Sequence, residues 1–260
     1  MRRLPPCLLV LAVLGVAFAA ADGAPAEQSG GAGVRVTFKG SISPKYLPRH
    51  RSVPIKVNLS GSVHSSDGSP LPPMQRLEIG FGARGALDAG GLPTCSPRRL
   101  RNATRRQALA RCRSSLVGRG EIVAEVPVNR DRPLLVRPRV YAFNGRSNGR
   151  RAIWLHAYAP SPPVSFVLPL YLRRLDGAFG IQIESPVRRA LGSWPRLRSF
   201  EITLGRRYRA DHRPRSYLSA RCPLPPSFTI GIAPIARATY LFAPRPTLTV
   251  TIQRGCRVRR

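Results

Sequence analysis

Thr247-Leu248-Thr249-Val250-Thr251-Ile252 decides the fold class. Successive side chains of a strand leave on opposite faces, so this run puts three aliphatic residues on one face and three threonines on the other. Its β-branched residues suit a pleated backbone. The same period of two recurs upstream. Val34, Val36 and Phe38 alternate with Arg35 and Thr37, and Val53, Ile55, Val57 and Leu59 with Pro54, Lys56 and Asn58. It returns in Leu77, Ile79 and Phe81, in Val164, Phe166, Leu168, Leu170 and Leu172, in Phe179, Ile181 and Ile183, and in Phe200, Ile202 and Leu204.

Residues 120–127, 134–143, 152–159, 227–232 and 238–242 are further strand candidates. Pro and Gly punctuate the gaps between them, as turns require. Many short half-buried strands with little helix between them predict an all-β chain, an antiparallel β-sandwich of one or two packed units. Residues 97–113 are the exception. They lack alternation, place Leu109, Cys112 and Leu116 on one helical face, and carry Arg98, Arg99, Arg101, Arg105, Arg106, Arg111 and Arg113. A short arginine-rich helix is expected there, its start capped by Ser96-Pro97 or by Asn102.

The N-terminus reads differently. Arg2 and Arg3 precede an apolar run from Leu4 to Ala20, and small residues lead up to Asp22. A basic start, a short apolar stretch and an A-x-A site predict a secretory signal peptide over 1–21, cleaved after Ala19 or Ala21. Residues 22–33 are Gly, Ala, Ser and acid without periodicity and are expected to be a flexible linker. The β-region then spans 34–260, and a division into sub-sandwiches 34–175 and 176–260 stays open. Cleavage removes Cys7 and leaves Cys95, Cys112, Cys222 and Cys256. An even number in an exported chain favours disulfides. Of three pairings, Cys95–Cys112 with Cys222–Cys256 closes the shortest loops and is preferred.

The chain has 43 Lys plus Arg against 12 Asp plus Glu, a formal net charge of +31, or +29 once Arg2 and Arg3 leave with the signal. Such a charge attracts polyanions: acidic cell-wall polymers, anionic lipid headgroups or, without sequence preference, nucleic acid. Arg, Ala, Gly and Pro are all abundant together, and a high-GC genome would give the same bias with no partner at all. Two clusters stand out: Arg98, Arg99, Arg101, Arg105 and Arg106 in the helical segment, and Arg206, Arg207, Arg209 and Arg213 interleaved with Tyr208 and Tyr217. Arg with Tyr can grip phosphate and stack on bases. No recognition-fold signature surrounds them, which argues against sequence-specific nucleic-acid binding.

Catalytic patterns are sparse. His64 stands among Ser62, Ser65, Ser66 and Asp67, but neighbours in one tight turn do not easily converge as a triad must, and no G-x-S-x-G elbow exists. Glu121 and Glu125 share a strand face about 13 Å apart, too far for a glycosidase pair. No cofactor or metal motif is present. The alternative to a binding protein is a secreted hydrolase whose site is assembled from distant strands, with His64, His156 and His212 as its candidate bases.

Gly91-Leu92-Pro93-Thr94-Cys95, Ala108-Leu109-Ala110-Arg111-Cys112, Leu116-Val117-Gly118-Arg119-Gly120, Ser216-Tyr217-Leu218-Ser219-Ala220-Arg221-Cys222-Pro223 and the closing Cys256-Arg257-Val258 resemble segments of secreted β-rich proteins of high-GC actinobacterial type. The resemblance implies export and a β-fold with paired cysteines, and no activity. The expectation is a non-enzymatic extracellular or cell-envelope protein.

Overall fold

The computed structural model describes residues 26–127, 133–161, 163–187, 195–244 and 246–258. The expected signal peptide, residues 1–21, lies outside them. The strands in chain order are β1 (Glu27–Gly31), β2 (Val34–Ser43), β3 (Tyr46–Leu47), β4 (Val53–Pro54), β5 (Lys56–Ser65), β6 (Met74–Gly82), β7 (Gly85–Leu87), β8 (Leu116–Pro127), β9 (Pro133–Val136), β10 (Arg139–Ser147), β11 (Arg150–Pro160), β12 (Pro163–Arg174), β13 (Phe179–Pro186), β14 (Arg196–Leu204), β15 (Arg207–Ala210), β16 (Arg213–Ser216), β17 (Leu218–Ala220), β18 (Ile230–Phe242) and β19 (Thr247–Val258). Two short helices, α1 (Pro97–Leu100) and α2 (Arg105–Cys112), precede β8.

The chain is an antiparallel β-sandwich built around one large curled sheet, beside which β4, β17 and β7 form a small three-stranded sheet and β15 and β16 a separate hairpin. The strands of the large sheet run β1-β2-β5-β14-β8-β10-β11-β12-β13-β6-β18-β19-β3, with β9 also paired to β8, and only the short β19–β3 pair is parallel among those described. The curl brings β1 and β2 back against β18 and β19. In one layer the Phe38 and Phe200 rings flank Gly61 of β5 and tilt together at 6.4 Å, and from the facing layer the Tyr240 hydroxyl donates to the carbonyl of Thr37. Val36, Phe38, Leu59, Val63, Tyr240, Val250 and Ile252 are buried there. The alternation read from the sequence is therefore the alternation of burial: in β2, Val34, Val36 and Phe38 are buried while Arg35 and Lys39 are exposed.

Several boundaries depart from expectation. The stretch read as linker is partly strand: β1 pairs with β2 through a two-residue turn whose Ala32 and Gly33 both have positive φ (47° and 75°). Backbone pairing and turn geometry make this hairpin, so no apolar pattern announces it. The division at residue 175 does not occur. β14 lies between β5 and β8, and β13 between β12 and β6, so both chain halves share one sheet and one core. Residues 134–143 are two strands separated at Arg137-Pro138, whereas 230–232 and 238–242 belong to the single β18, which leaves 227–229 outside it and absorbs Pro234 at an irregularity in its pairing.

The arginine-rich helix is broken in two. Asn102 adopts φ 53°, which an asparagine tolerates, and ends α1 instead of starting α2. Thr104 caps α2: its hydroxyl accepts from the Gln107 N–H while the Gln107 side chain accepts from the Thr104 N–H. Thr104→Ala is expected to cost about 1 kcal/mol, read as a drop in the urea midpoint. Both preferred disulfides form, Cys95–Cys112 and Cys222–Cys256.

Candidate functional site

The helical segment is a strap across the outer face of β10 and β11. Cys95, Leu100, Ala103, Ala108 and Cys112 bury against Tyr141, Phe143 and Trp154, forming a second core on the far side of the sheet. This explains why β10 and β11 are buried on both faces, against the sandwich interior and against the strap. With its apolar side committed inward, the strap turns Arg98, Arg99, Arg101, Arg105, Arg106, Arg111 and Arg113 to solvent. No Asp or Glu occurs between Asp88 and Glu121 to neutralise them.

A groove of about 670 Å³ opens where the strap ends. Lys56, Arg113, Arg119, Thr203 and Arg206 rim it, over Leu109, Leu116, Val117 and Gly118. Among the described residues four cations line it, and no carboxylate does. Gly205 makes the approach possible. Its φ is 142°, and a Cβ there would meet the Ile55 carbonyl at 2.8 Å and the Lys56 Cα at 3.0 Å. The chain passes close beside Lys56 and delivers Arg206, whose Nη1 donates to the carbonyls of Arg113 (3.3 Å), Ser114 (2.6 Å) and Leu116 (2.9 Å). Those carbonyls belong to the turn that follows α2, where a cation is favourable. Arg206 thus joins the strap to the second basic cluster.

That cluster is the β15–β16 hairpin, turned by Asp211 and His212 with φ 51° and 58°. Arg207, Arg209 and Arg213 are exposed on it. Its tyrosines face the body of the protein. The Tyr208 hydroxyl donates to the carbonyls of Asp88 and Gly90, and burial pushes its pKa up. Tyr217 is wholly buried. Ala210 packs against Gly91, and Arg215 pairs with Asp88 and Asp211. One side of the hairpin is therefore spent holding it to loop 88–91.

The arginines singled out in the sequence thus lie on two neighbouring elements, and Arg206 is the link between them. Sequence reasoning missed Lys56 and Arg119. Both occupy outward positions of alternating strands, where a cation is ordinary, and only the register Thr203↔Arg119 and the turn at Gly205 bring them together.

The three candidate histidines do not converge. His64 Nε2 contacts the Ser62 hydroxyl at 2.9 Å, but Asp67 accepts from Ser65 and Ser69 instead of orienting the imidazole. Those hydrogen bonds hold the Asp67 carboxyl down at about 2. His212 sits at the hairpin turn. His156 is fully buried beneath the strap, its Nε2 2.9 Å from the Ala103 carbonyl and 3.2 Å from the Ser165 hydroxyl. A carbonyl only accepts, so Nε2 carries the proton and has no lone pair to take one from Ser165. Glu125 is paired to Arg198. No cluster of three metal-ligating side chains occurs among the described residues.

Burial holds the His156 pKa below its ordinary 6.5 despite the bond to Ala103. The unfolded chain then binds the proton more readily than the folded one. Stability is full above pH 6.5 and falls as pH drops from there towards the folded pKa. The thermal midpoint should decline over that window, and His156→Gln should flatten the decline, whatever it does to the midpoint itself.

No family model, curated protein or solved structure matches this chain. The resemblance to secreted actinobacterial proteins therefore rests on the quoted segments alone.

Proposed function

We propose that this is an exported, non-enzymatic protein of the extracellular space or cell envelope that binds acidic surfaces through one basic face. The face consists of the strap arginines, the groove and the outer side of the β15–β16 hairpin. The observation that carries the reading is the groove itself, in which Lys56, Arg113, Arg119 and Arg206 converge with no carboxylate among the described lining residues. Guanidinium groups grip phosphate and carboxylate in a fork geometry that ammonium lacks, which suits repeating acidic polymers and headgroups. A rigid scaffold keeps the cations in place before the ligand arrives, lowering the entropic cost of binding. Two disulfides are consistent with an oxidising compartment, and no described helix is long and apolar enough to cross a membrane.

The test uses protein collected from the medium of a secreting host, its mass checked for cleavage after Ala19 or Ala21. Retention on immobilised polyphosphate is measured against salt. Arg113→Ala with Arg119→Ala is expected to weaken binding and to flatten the log–log salt slope by about 0.7–0.9 for each phosphate no longer neutralised. Retention indifferent to salt, or unchanged in the double variant, overturns the reading.

A further inference from the structure

We propose that the apolar tip at residues 228–232, together with Tyr46, is a second binding surface that inserts into anionic lipid membranes. Among the described residues five large hydrophobic side chains are exposed, and all but Leu135 fall at the β18–β19–β3 end or in the turn beside it: Tyr46 (52 % exposed), Phe228 (57 %), Ile230 (56 %) and Ile232 (75 %). The register explains their grouping. Ile230 pairs with Arg257, and Arg257 with Tyr46, so a row of three crosses β18, β19 and β3 on the outward face. Ile232 continues that face opposite Gly255, while Leu224 covers Gly231 from the other side. Phe228 lies in the turn that leads into β18, its N–H donating to the Pro225 carbonyl, and is exposed two residues ahead of Ile230.

The tip is built, not frayed. Cys222–Cys256 ties its base to β19. Arg49 reaches the carbonyls of Leu224, Pro225 and Pro226 with one guanidinium, and the Val258 N–H donates to the Thr229 carbonyl. Exposed side chains held this firmly in contact with water lose little further freedom on binding. An apolar patch on an anchored scaffold marks an interaction site.

Charge selects the occupant. Neither contributing stretch contains an acid: none falls between Glu27 and Asp67, and none after Asp211. Lys45 neighbours Tyr46 in the chain, and Arg257 stands within the row. A second copy of this chain would set these cations against their own images. An anionic bilayer offers phosphates at the depth of the cations and hydrocarbon at the depth of the isoleucines, and a tyrosine suits the boundary between them. This surface is separate from the basic groove, and neither proposal depends on the other.

Secreted protein is sedimented with vesicles of equimolar phosphatidylglycerol and phosphatidylcholine, at low salt and in roughly 1 M NaCl, where the Debye length is about 3 Å. Phe228→Ser with Ile230→Ser and Ile232→Ser is expected to keep the thermal midpoint and the retention on polyphosphate, and to lose at least about tenfold in vesicle partition. The wild type is expected to keep part of its vesicle binding at high salt, where purely electrostatic binding disappears. Unchanged partition in the triple variant overturns the insertion surface and leaves the basic groove standing. A wild-type dimer that the triple variant converts to monomer also overturns it, since the tip would then be an interface between copies.

Discussion

Phe38→Ala is expected to lower stability by about 3–5 kcal/mol, the range for a large aromatic removed from a packed core. Phe38 is fully buried on the inner face of β2, beside Phe200 across Gly61 in the same layer, where the curl brings β18 and β19 over it. Its removal leaves a void between the layers that β2 cannot close by shifting, because its pairing with β5 fixes its register and β5 is held in turn by β14. The measurement is a urea titration in which the midpoint falls while the slope stays constant. Phe228→Ala is the control. That ring is more than half exposed, and its loss should move the midpoint little. Equal effects from the two substitutions would mean that β2 does not face the second layer.

Removing the disulfides is the second large effect, and the two differ. Their separations are 17 and 34 residues. The chain-entropy relation then gives about 3 kcal/mol for Cys95–Cys112 and about 4 kcal/mol for Cys222–Cys256. Cys95→Ala with Cys112→Ala frees a strap that has its own small core with Tyr141, Phe143 and Trp154. The loss should appear as local opening over 96–115 in hydrogen exchange as well as a lower midpoint. Cys222→Ala with Cys256→Ala releases β19 and the tip at 228–232 together, and should lower the midpoint further. Wild-type midpoints in both double variants under oxidising conditions would show that neither bridge restrains the folded chain.

Much of this architecture was legible in the residues. Alternation in β2 and β19 assigned strands and burial faces correctly, because side-chain direction follows from backbone geometry alone, whereas β12, read as a strand, is half-buried on both faces. The cysteine pairing followed from loop length. Leu109 and Leu116 were placed on the apolar side of the strap, where they pack on the second core. The hairpin at Ala32-Gly33 was not legible, since positive φ at two turn residues leaves no apolar trace.

Gly61 shows why the rest was hidden. It falls at an inward position of β5, between Leu59 and Val63, and looks like a gap in the core. In the fold, a Cβ there would lie 2.5 Å from the Tyr240 hydroxyl and 2.6 Å from Cε1 of Phe200. The missing side chain is supplied by two residues more than a hundred positions away. The groove has the same character: Arg113 and Arg206 belonged to recognised clusters, but Lys56 and Arg119 joined them only through the pairing of β8 with β14 and the turn at Gly205.

The amino-acid order by itself determined that the chain forms antiparallel strands and which face of strands such as β2 and β19 is apolar, since these depend on geometry local in sequence, and it favoured the cysteine pairing with the shortest loops. Only the tertiary structure decided that β14 enters between β5 and β8, that the sheet curls onto itself, and that cations from four separate segments share one groove. A period of two states which way a side chain points and nothing about which strand lies beside it. That choice is made by packing across the two layers, where residues distant along the chain must fill the same space.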